Sequence, residues 1–212
     1  MKLLQTLQEL VFPLRCLGCG ALGIEICSRC RKDWHPRIIR TVSRLRPLFP
    51  IYSSIPYSPV AGKVLLAAKE NGILTADKLL TQALTFALTY CLAETTATFI
   101  VPIPSRKNVA RMRGRQFIST IAKDAGEFTS TPIHELLTHV RKVKDQSTLD
   151  AKARSINLDG ALKSLRFIRG NAVLVDDLVT TGATLHEAAR ALRAEGIAVV
   201  AAVTACVAEP LR

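Results

Sequence analysis

The stretch VLVDDLVTTGATL, from Val173 to Leu185, is the most informative part of the sequence. The run over 171–177 is apolar and ends in Asp176 and Asp177. It predicts a buried strand with both acids at its carboxyl end. A turn follows, and then a predicted helix over 183–195, for which Gly196 is the C-cap. In open α/β sheets, ligands bind at the carboxyl ends of the strands. This stretch therefore predicts both a fold class and the place of a site.

The turn after the two acids has the chemistry of a phosphate site. Unpaired backbone N–H groups and the positive end of the helix dipole favour an anion, and threonine hydroxyls add donors. Gly182 permits a positive φ or a close approach of the backbone. The turn residues that we expect to contact the phosphate are Val179, Thr180, Thr181, Gly182, Ala183 and Thr184. Carboxylates would repel a phosphate but accept hydrogen bonds from hydroxyl groups, so the predicted ligand is a sugar phosphate with a free diol.

The rest of the chain alternates predicted strands and helices, which favours a parallel sheet with helices on both faces. The patterns predict strands over 51–57, 98–104 and 197–208, helices over 3–11, 60–70, 75–93 and 109–125, a connector over 36–50 and a long loop over 138–160. Ser105, Arg106 and Lys107 follow a strand end, where a hydroxyl and two cations could meet an anionic ligand. Arg111, Arg113 and Arg115 fall two apart, so we expect one or two to face the site and the others to be solvated.

Four of the six cysteines lie together in the spacing C-x2-C-x7-C-x2-C, at Cys16, Cys19, Cys27 and Cys30. This spacing favours a tetrahedral Zn²⁺ site, because each pair can aim two sulfurs at one point. Two disulfides, or a redox or iron–sulfur site, are the alternatives. Cys91 and Cys206 lie in apolar surroundings and are predicted to be buried.

A zinc ion with four protein ligands has no open position for catalysis, so a structural role is expected. Binding of nucleic acid is the alternative, because basic residues surround the cysteines and Trp34 could stack on a base or pack against the module. These residues are Arg15, Arg29, Arg31, Lys32, Arg37, Arg40, Arg44 and Arg46.

The composition indicates a globular chain, and its positive net charge favours an anionic partner. The 212 residues are 49% hydrophobic and 22% charged, with a net charge of +12. Residues 1–47 hold nine basic and three acidic groups, so the excess is densest there. No apolar run reaches the roughly 18–20 residues of a membrane span, and the first residues lack the pattern of a secretory signal. We expect a soluble, cytoplasmic protein.

The Val173–Leu185 stretch resembles the phosphoribosyl pyrophosphate (PRPP) signature of the type I phosphoribosyltransferases. The resemblance implies that Asp176 and Asp177 hold the ribose hydroxyls and that the turn holds the 5′-phosphate. A P-loop ATPase is excluded, because the chain has no G-x-x-x-x-G-K-[ST] motif.

More of the chain resembles the ComF family (ComFC/GntX type), in which a four-cysteine knuckle precedes a PRPP domain. Three further segments are similar: 61–72, which contains Lys69, 101–114, the pyrophosphate-side loop, and 141–162, a mobile segment with Arg141 and Arg154. The family usually has an aromatic residue and an asparagine where this chain has Arg115 and Gln116. The resemblance implies PRPP binding with Mg²⁺, to which Ser105, Arg106 and Arg154 would contribute, and a part in DNA uptake during natural transformation.

Three functions stay open at this stage. The chain could be an active phosphoribosyltransferase with Asp176 and Asp177 as catalytic residues, a PRPP-binding module in DNA uptake at the inner face of the membrane, or a zinc-dependent nucleic-acid-binding regulator. The predicted organisation is an N-terminal zinc module, 1–47, and a phosphoribosyltransferase-like domain, 48–212. Single-stranded DNA and the DNA-uptake machinery are the expected macromolecular partners.

Overall fold

A mostly parallel five-stranded sheet is the centre of the fold. The computed structural model describes residues 14–43, 48–141 and 158–208. The strands are β1 (Ile39–Val42), β2 (Pro50–Pro56), β3 (Phe99–Pro102), β4 (Leu137–His139), β5 (Leu162–Ser164), β6 (Asn171–Val179) and β7 (Ala198–Val207). The main sheet has the order β1-β2-β7-β6-β3, and only β1 runs antiparallel to its neighbour. Strands β4 and β5 form a separate antiparallel pair.

Helices cover both faces of the main sheet. They are α1 (Ser28–Arg31), α2 (Pro59–Lys69), α3 (Leu74–Glu94), α4 (Lys107–Arg113), α5 (Phe117–Thr129) and α6 (Ala183–Ala194). One core joins α2, α3 and α5 to one face, where Leu84 and Ile121 are buried with Val203. A second core joins α6 to the other face, where Leu185 is buried with Leu174. The α/β fold with a mostly parallel sheet and flanking helices is therefore confirmed.

The parallel strands bring their carboxyl ends to one edge of the sheet. Strand β6 runs between β3 and β7, and the chain leaves β6 through the turn that enters α6. The chain leaves β3 through Ile103–Arg106 and enters α4. The two segments with predicted ligand chemistry are therefore neighbours at this edge.

Several predicted elements are confirmed with small shifts at their ends. The helices expected over 60–70 and 75–93 are α2 and α3, and the strands expected over 51–57, 98–104, 171–177 and 197–208 are β2, β3, β6 and β7. The helix expected over 183–195 is α6, and Gly196 follows it with a φ of 78°. Cys91 and Cys206 are fully buried, as predicted.

The prediction of a connector over 36–50 was wrong in part. Residues Ile39–Val42 form β1, which pairs with β2 from Ile39 opposite Ser53 to Val42 opposite Pro50. Only Ile39 of this strand is fully buried. A short edge strand with one core residue gives almost no periodic signal, and the prolines on either side favour a connector.

The prediction of one basic helix over 109–125 was also wrong. Helix α4 ends at Arg113, Gly114 adopts the left-handed conformation with a φ of 68°, and α5 begins at Phe117. A glycine in this conformation is a common way to end a helix. The break separates the arginines of α4 from the apolar face of α5.

The prediction of a loop over 138–160 was wrong at its start, where β4 extends to His139. Residues 142–157, and with them Arg154, lie outside the described residues, as does the helix predicted over 3–11. Among the helices described here, none combines the length and the apolar character that a membrane span requires.

Candidate functional site at the carboxyl edge of the sheet

The two aspartates of β6 have different surroundings, because neighbouring residues of a strand point to opposite faces. Asp177 is 4% exposed, and its Oδ2 forms an ion pair with Nζ of Lys69, the last residue of α2. Asp176 is partly buried, and its Oδ1 accepts a hydrogen bond of 2.9 Å from the backbone N–H of Asp177. The pair therefore offers one carboxylate in direct ion-pair contact with Lys69 and one that has Lys69 only as a nearby charge.

Burial dominates the electrostatics of this cluster. It raises the pKa of Asp176 to about 6, against the opposing effect of the nearby Lys69 ammonium. Burial also lowers the pKa of Lys69, while the charge of Asp176 raises it. A carboxyl group with a pKa near 6 is ionised above that pH, where it can accept hydrogen bonds from hydroxyl groups.

The turn after β6 forms the N-terminus of α6. Gly182 has a φ of 78°, a conformation that favours glycine, and it is the N-cap residue of the helix. The N–H of Ala183 donates to Oγ1 of Thr181 over 3.3 Å, and the N–H of His186 donates to the carbonyl of Gly182 over 2.9 Å. Gly182 has no side chain to cap the helix, and Oγ1 of Thr181 instead accepts from the first N–H group of α6.

A cationic cavity of about 620 Å³ lies beside the segment that leaves β3. Its described lining consists of Arg106, Lys107, Asn108, Arg111, His139, Val140 and Arg141. Arg106 is the N-cap residue of α4, and Lys107 and Arg111 belong to that helix. This lining contains four permanently charged cations and no carboxylate, so it favours an anionic ligand.

Gln116 holds the segment after β3 in place. Its Oε1 accepts a hydrogen bond of 3.0 Å from the backbone N–H of Ser105. This contact spans the break between α4 and α5, and no sequence pattern predicts it. The residue where the chain departs from the ComF pattern thus has a structural partner in the candidate site.

The three arginines around Gly114 face different partners. Arg111 lines the cationic cavity, while Arg113 pairs with Glu70. Arg115 forms a two-pronged pair with Asp77, with one contact of 2.9 Å, and also donates to the carbonyl of Ala68 over 2.7 Å. The expectation that the arginines away from the site would be solvated was wrong, because Arg113 and Arg115 pair with acids and tie this part of the chain to α2 and α3.

His139 of β4 was missed by sequence reasoning and lines the same cavity. Its Nε2 lies 3.1 Å from the carbonyl oxygen of Pro104, so Nε2 carries the hydrogen and donates it. Burial lowers the pKa of His139, and the hydrogen bond to Pro104 opposes this shift. His139 therefore joins the β4–β5 pair to the segment after β3 as a neutral ring.

Two charged residues of α6 hold the β4–β5 pair over the sheet. Glu187 is 3% exposed, and its Oε1 accepts a hydrogen bond of 2.8 Å from the N–H of Leu162 in β5. Arg190 donates to Glu187 and to the carbonyl of Leu162. Burial works against ionisation of Glu187, but the hydrogen bonds from Arg190 and Leu162 hold its pKa below the usual range. The small sheet is thus fixed to the helix that begins at the predicted phosphate turn.

The four N-terminal cysteines converge as their spacing predicts. The four Sγ atoms all lie within 4.8 Å of one another. In a tetrahedral zinc site, Zn–S bonds of about 2.3 Å put the sulfurs roughly 3.8 Å apart. A Cβ on Gly18 would lie 2.6 Å from Sγ of Cys30, so this position of the turn requires glycine.

Backbone groups stabilise a thiolate in this cluster. The N–H of Cys27 donates to Sγ of Cys16 over 3.3 Å. Burial raises the pKa of Cys16, but backbone hydrogen bonds from Cys27, Cys19 and Gly18 outweigh it and lower the pKa to about 6. Thiolate is the form that binds a metal, so the cluster could hold zinc.

Trp34 packs against the cysteine module and does not present a face to a base. It is 4% exposed and belongs to the same core as Cys16, Cys30 and Val60 of α2. Lys63 of α2 also donates to the carbonyl of Gly18 over 2.7 Å. Of the two roles considered for Trp34, the structure shows packing.

The chain has an α/β fold, and part of it matches a known protein family. Residues 109–210 match the family model described as "Phosphoribosyl transferase domain". The match covers the segment from α4 to β7, which includes the turn at Thr180–Thr184.

Solved structures similar to this chain include two phosphoribosyltransferases. The orotate phosphoribosyltransferase from Aeropyrum pernix is 17% identical, with a TM-score of 0.41, and the alignment covers 82% of this chain and 78% of that one. An adenine phosphoribosyltransferase is 14% identical, with a TM-score of 0.41 and coverage of 82% and 86%. A search of curated protein sequences gives no significant match.

Proposed function

We propose that this protein binds PRPP together with Mg²⁺ at the carboxyl edge of its sheet. The observation that carries the proposal is that three groups of different chemistry lie at the carboxyl edge of the sheet. These are the carboxylates of Asp176 and Asp177, the N-terminus of α6 and the cationic cavity beside Arg106. PRPP carries a diol, a monophosphate and a diphosphate, and each of these groups suits one of the three.

The α6 turn would bind the 5′-phosphate through threonine hydroxyls and backbone N–H groups between Thr181 and Thr184, among which the N–H of Ala183 would have to exchange its hydrogen bond to Thr181 for one to the phosphate. Asp176 would accept the hydroxyls of the ribose, because it is the more exposed of the two acids, while Asp177 is buried and paired with Lys69. The proposed role of both acids follows the resemblance to the type I phosphoribosyltransferases. It is supported by their position at the end of β6.

The diphosphate would occupy the side of the cavity formed by Arg106 and α4. The N–H of Ser105 already donates to Gln116, so the hydroxyl of Ser105 is the group that would donate to a phosphate oxygen. Bound Mg²⁺ would neutralise charge on the diphosphate and favour its departure. By resemblance, Arg154 would add a further contact from the segment 142–157.

If the protein is an enzyme, the bond between C1 of the ribose and the diphosphate oxygen breaks, and C1 forms a bond with an acceptor nucleophile. The chain would contribute by orienting both groups and by placing the charge of Asp176 beside a ribose that becomes cationic. Catalytic turnover of PRPP goes a step beyond the proposed binding. Release of pyrophosphate from PRPP on addition of an acceptor would demonstrate it.

The test is calorimetric titration of PRPP, with and without Mg²⁺, into the zinc-loaded native protein and an Asp176→Asn variant. We expect Mg²⁺-dependent binding by the native protein and an affinity about 10- to 100-fold lower in the variant, since a hydrogen bond to a charged group contributes about 1.5–3 kcal/mol. Asp124→Asn, which changes an exposed acid on α5, is the matched control and should bind normally.

The Asp176→Asn variant should fold at least as well as the native protein. Because the pKa of Asp176 is raised to about 6, its contribution to stability is present at low pH and is lost as pH rises through 6. Asparagine does not ionise, so the variant avoids this loss of stability. Its melting temperature at pH 7.5 should therefore not fall below that of the native protein. Absence of PRPP binding by the folded native protein would overturn the proposal, and equal affinity in the variant would overturn the role of Asp176.

We further propose the role in DNA uptake that the ComF resemblance implies, with single-stranded DNA as the partner at the inner face of the membrane. It is supported by exposed basic residues in the segment after the cysteine knuckles, among them Arg31, Lys32 and Arg37. Phosphate contacts by such side chains dominate binding of single strands and make it salt-dependent.

A fluorescently labelled single-stranded oligonucleotide, titrated by anisotropy at several salt concentrations, tests this partner. Replacing Arg31, Lys32 and Arg37 together by glutamine should weaken binding about tenfold and reduce the slope of log K against log salt by about 2, at about 0.7 for each phosphate contact. The control replaces three exposed cations elsewhere, Lys163, Arg166 and Arg169, with the same change in charge. Equal losses in the two variants, or no binding by the native protein, would contradict the proposal.

A further inference from the structure

The outer face of α3 carries an apolar groove far from the chemistry of the sheet edge. A cavity of about 610 Å³ lies along this face. Its described lining consists of Ile38, Thr81, Gln82, Thr85, Phe86, Thr89, Tyr90, Ala93 and Phe128. No charged residue is among them. Phe86 is 46% exposed and Phe128, near the end of α5, is 83% exposed.

Helix α3 is apolar on two sides, which is unusual for a surface helix. Its inner side packs into the core through residues such as Leu84, Leu88 and Cys91. Its outer side presents Phe86 and Tyr90, one turn apart, and Ile38 and Phe128 line the same cavity. Exposed apolar patches of this kind mark interaction sites.

The first described residue of the chain lies near one end of this groove. Leu14, the first described residue, lines a small cavity together with Leu79 of α3. Leu79 lies about one helical turn before Gln82, which lines the groove. A segment that precedes Leu14 therefore starts at one end of the groove.

The sequence before Leu14 has the complementary pattern. Leu3, Leu4, Leu7, Leu10 and Val11 form an apolar stripe at helical spacing, with polar residues between them, and Pro13 ends the pattern. A helix over 3–11 would be about 13 Å long, and the groove from Gln82 to Ala93 spans about 16 Å at about 1.5 Å per residue. Residues 12 and 13 are the connection to Leu14.

We propose that residues 3–11 dock in this groove as a helix antiparallel to α3, with the leucine stripe against Phe86, Tyr90 and Phe128. The segment is tethered at the end of the groove, which gives it an effective concentration near the millimolar range. A separate protein chain would have to compete with that concentration. Docking would cover the apolar side of α3 and join the N-terminal end of the chain to the phosphoribosyltransferase-like domain.

Hydrogen–deuterium exchange of the zinc-loaded, full-length protein tests the proposal. Amides of residues 3–11 should exchange at least tenfold more slowly than the intrinsic rate, and a Phe86→Asp/Phe128→Asp variant should bring them close to it. The matched control is Leu165→Asp/Phe167→Asp, which changes two apolar residues of similar exposure outside the groove. That control should leave the protection intact.

Two outcomes would overturn the proposal. One is exchange of residues 3–11 at the intrinsic rate in the native protein, or protection that the groove variant leaves unchanged. The other is a native dimer, measured by light scattering after size exclusion, that the groove variant converts to a monomer while residues 3–11 stay unprotected. That result would assign the groove to a second copy of the chain.

Discussion

A Cys16→Ser substitution should abolish stoichiometric zinc binding and unfold the cysteine module. Cys16 is buried and accepts a hydrogen bond from the N–H of Cys27, so its loss removes both a metal ligand and part of the module's internal packing. Structural zinc sites have apparent binding free energies of about 10–16 kcal/mol, and this energy is coupled to folding. The effect should therefore exceed that of removing a buried side chain alone.

The single tryptophan of the chain gives a direct readout of this change. Trp34 is 4% exposed in the core shared by the module and α2. Its emission should shift to the red in the Cys16→Ser variant, and a chelator should produce the same shift in the native protein. Metal analysis should find one zinc ion per native chain.

The control for zinc binding is Cys91→Ala, which removes a buried cysteine that lies outside the cluster. This variant should keep its zinc even if the helix α3 is destabilised. Native protein purified under reducing conditions without zinc would contradict the zinc assignment. A brown protein that contains iron would support the iron–sulfur alternative, and two disulfides would be seen by mass spectrometry as the loss of four hydrogens.

The sequence predicted those features well that are formed by residues close together along the chain. The run from Val173 to Leu185 contains the strand, the turn and the first turn of α6, and the spacing of the cysteines specifies a convergent cluster. In both cases the relevant residues are neighbours along the chain. Periodicity and spacing are local properties, so they predict such features well.

The contacts that hold the candidate site together are long-range and were not predictable. The Lys69–Asp177 and Ser105–Gln116 contacts join different elements, and neither has a periodic signal. Strands β4 and β5 are three residues each and depend on Glu187 and Arg190 of α6 for their position. The break at Gly114 could have been anticipated, because a glycine inside a helical pattern often ends the helix.

The second large effect is expected from Lys69→Met, which removes the cation beside both aspartates. Asp177 is 4% exposed and would be left with its charge but without its ion-pair partner, while Asp176 would lose the ammonium that lowers its pKa. Removing one partner of a buried ion pair costs about 3–5 kcal/mol. Since the Lys69 side chain is 29% exposed, we expect a loss near the lower end, about 3 kcal/mol at pH 7.5.

The loss should depend on pH in a direction that distinguishes it from simple loss of packing. Without Lys69, the folded-state pKa of Asp176 rises further, because the ammonium that lowers it is gone, so protonation at low pH relieves part of the cost. A raised folded-state pKa gives stability that is present at low pH and is lost as pH rises through that value. The difference between native and variant in urea-induced unfolding should therefore be largest near pH 7.5 and shrink towards pH 4.5.

Two further variants make this test decisive. Lys69→Met/Asp177→Asn should recover most of the lost stability at pH 7.5, because the buried charge is removed along with its partner. Lys123→Met breaks the Lys123–Glu135 pair of 3.0 Å, whose side chains are 59% and 51% exposed, and should cost less than about 1 kcal/mol. Equal losses in Lys69→Met and Lys123→Met, or a loss in Lys69→Met that does not change with pH, would mean that Lys69 does not neutralise the aspartates. Recovery by Asp177→Asn would instead establish that α2 supplies the cation that neutralises Asp177, beside the proposed ribose site.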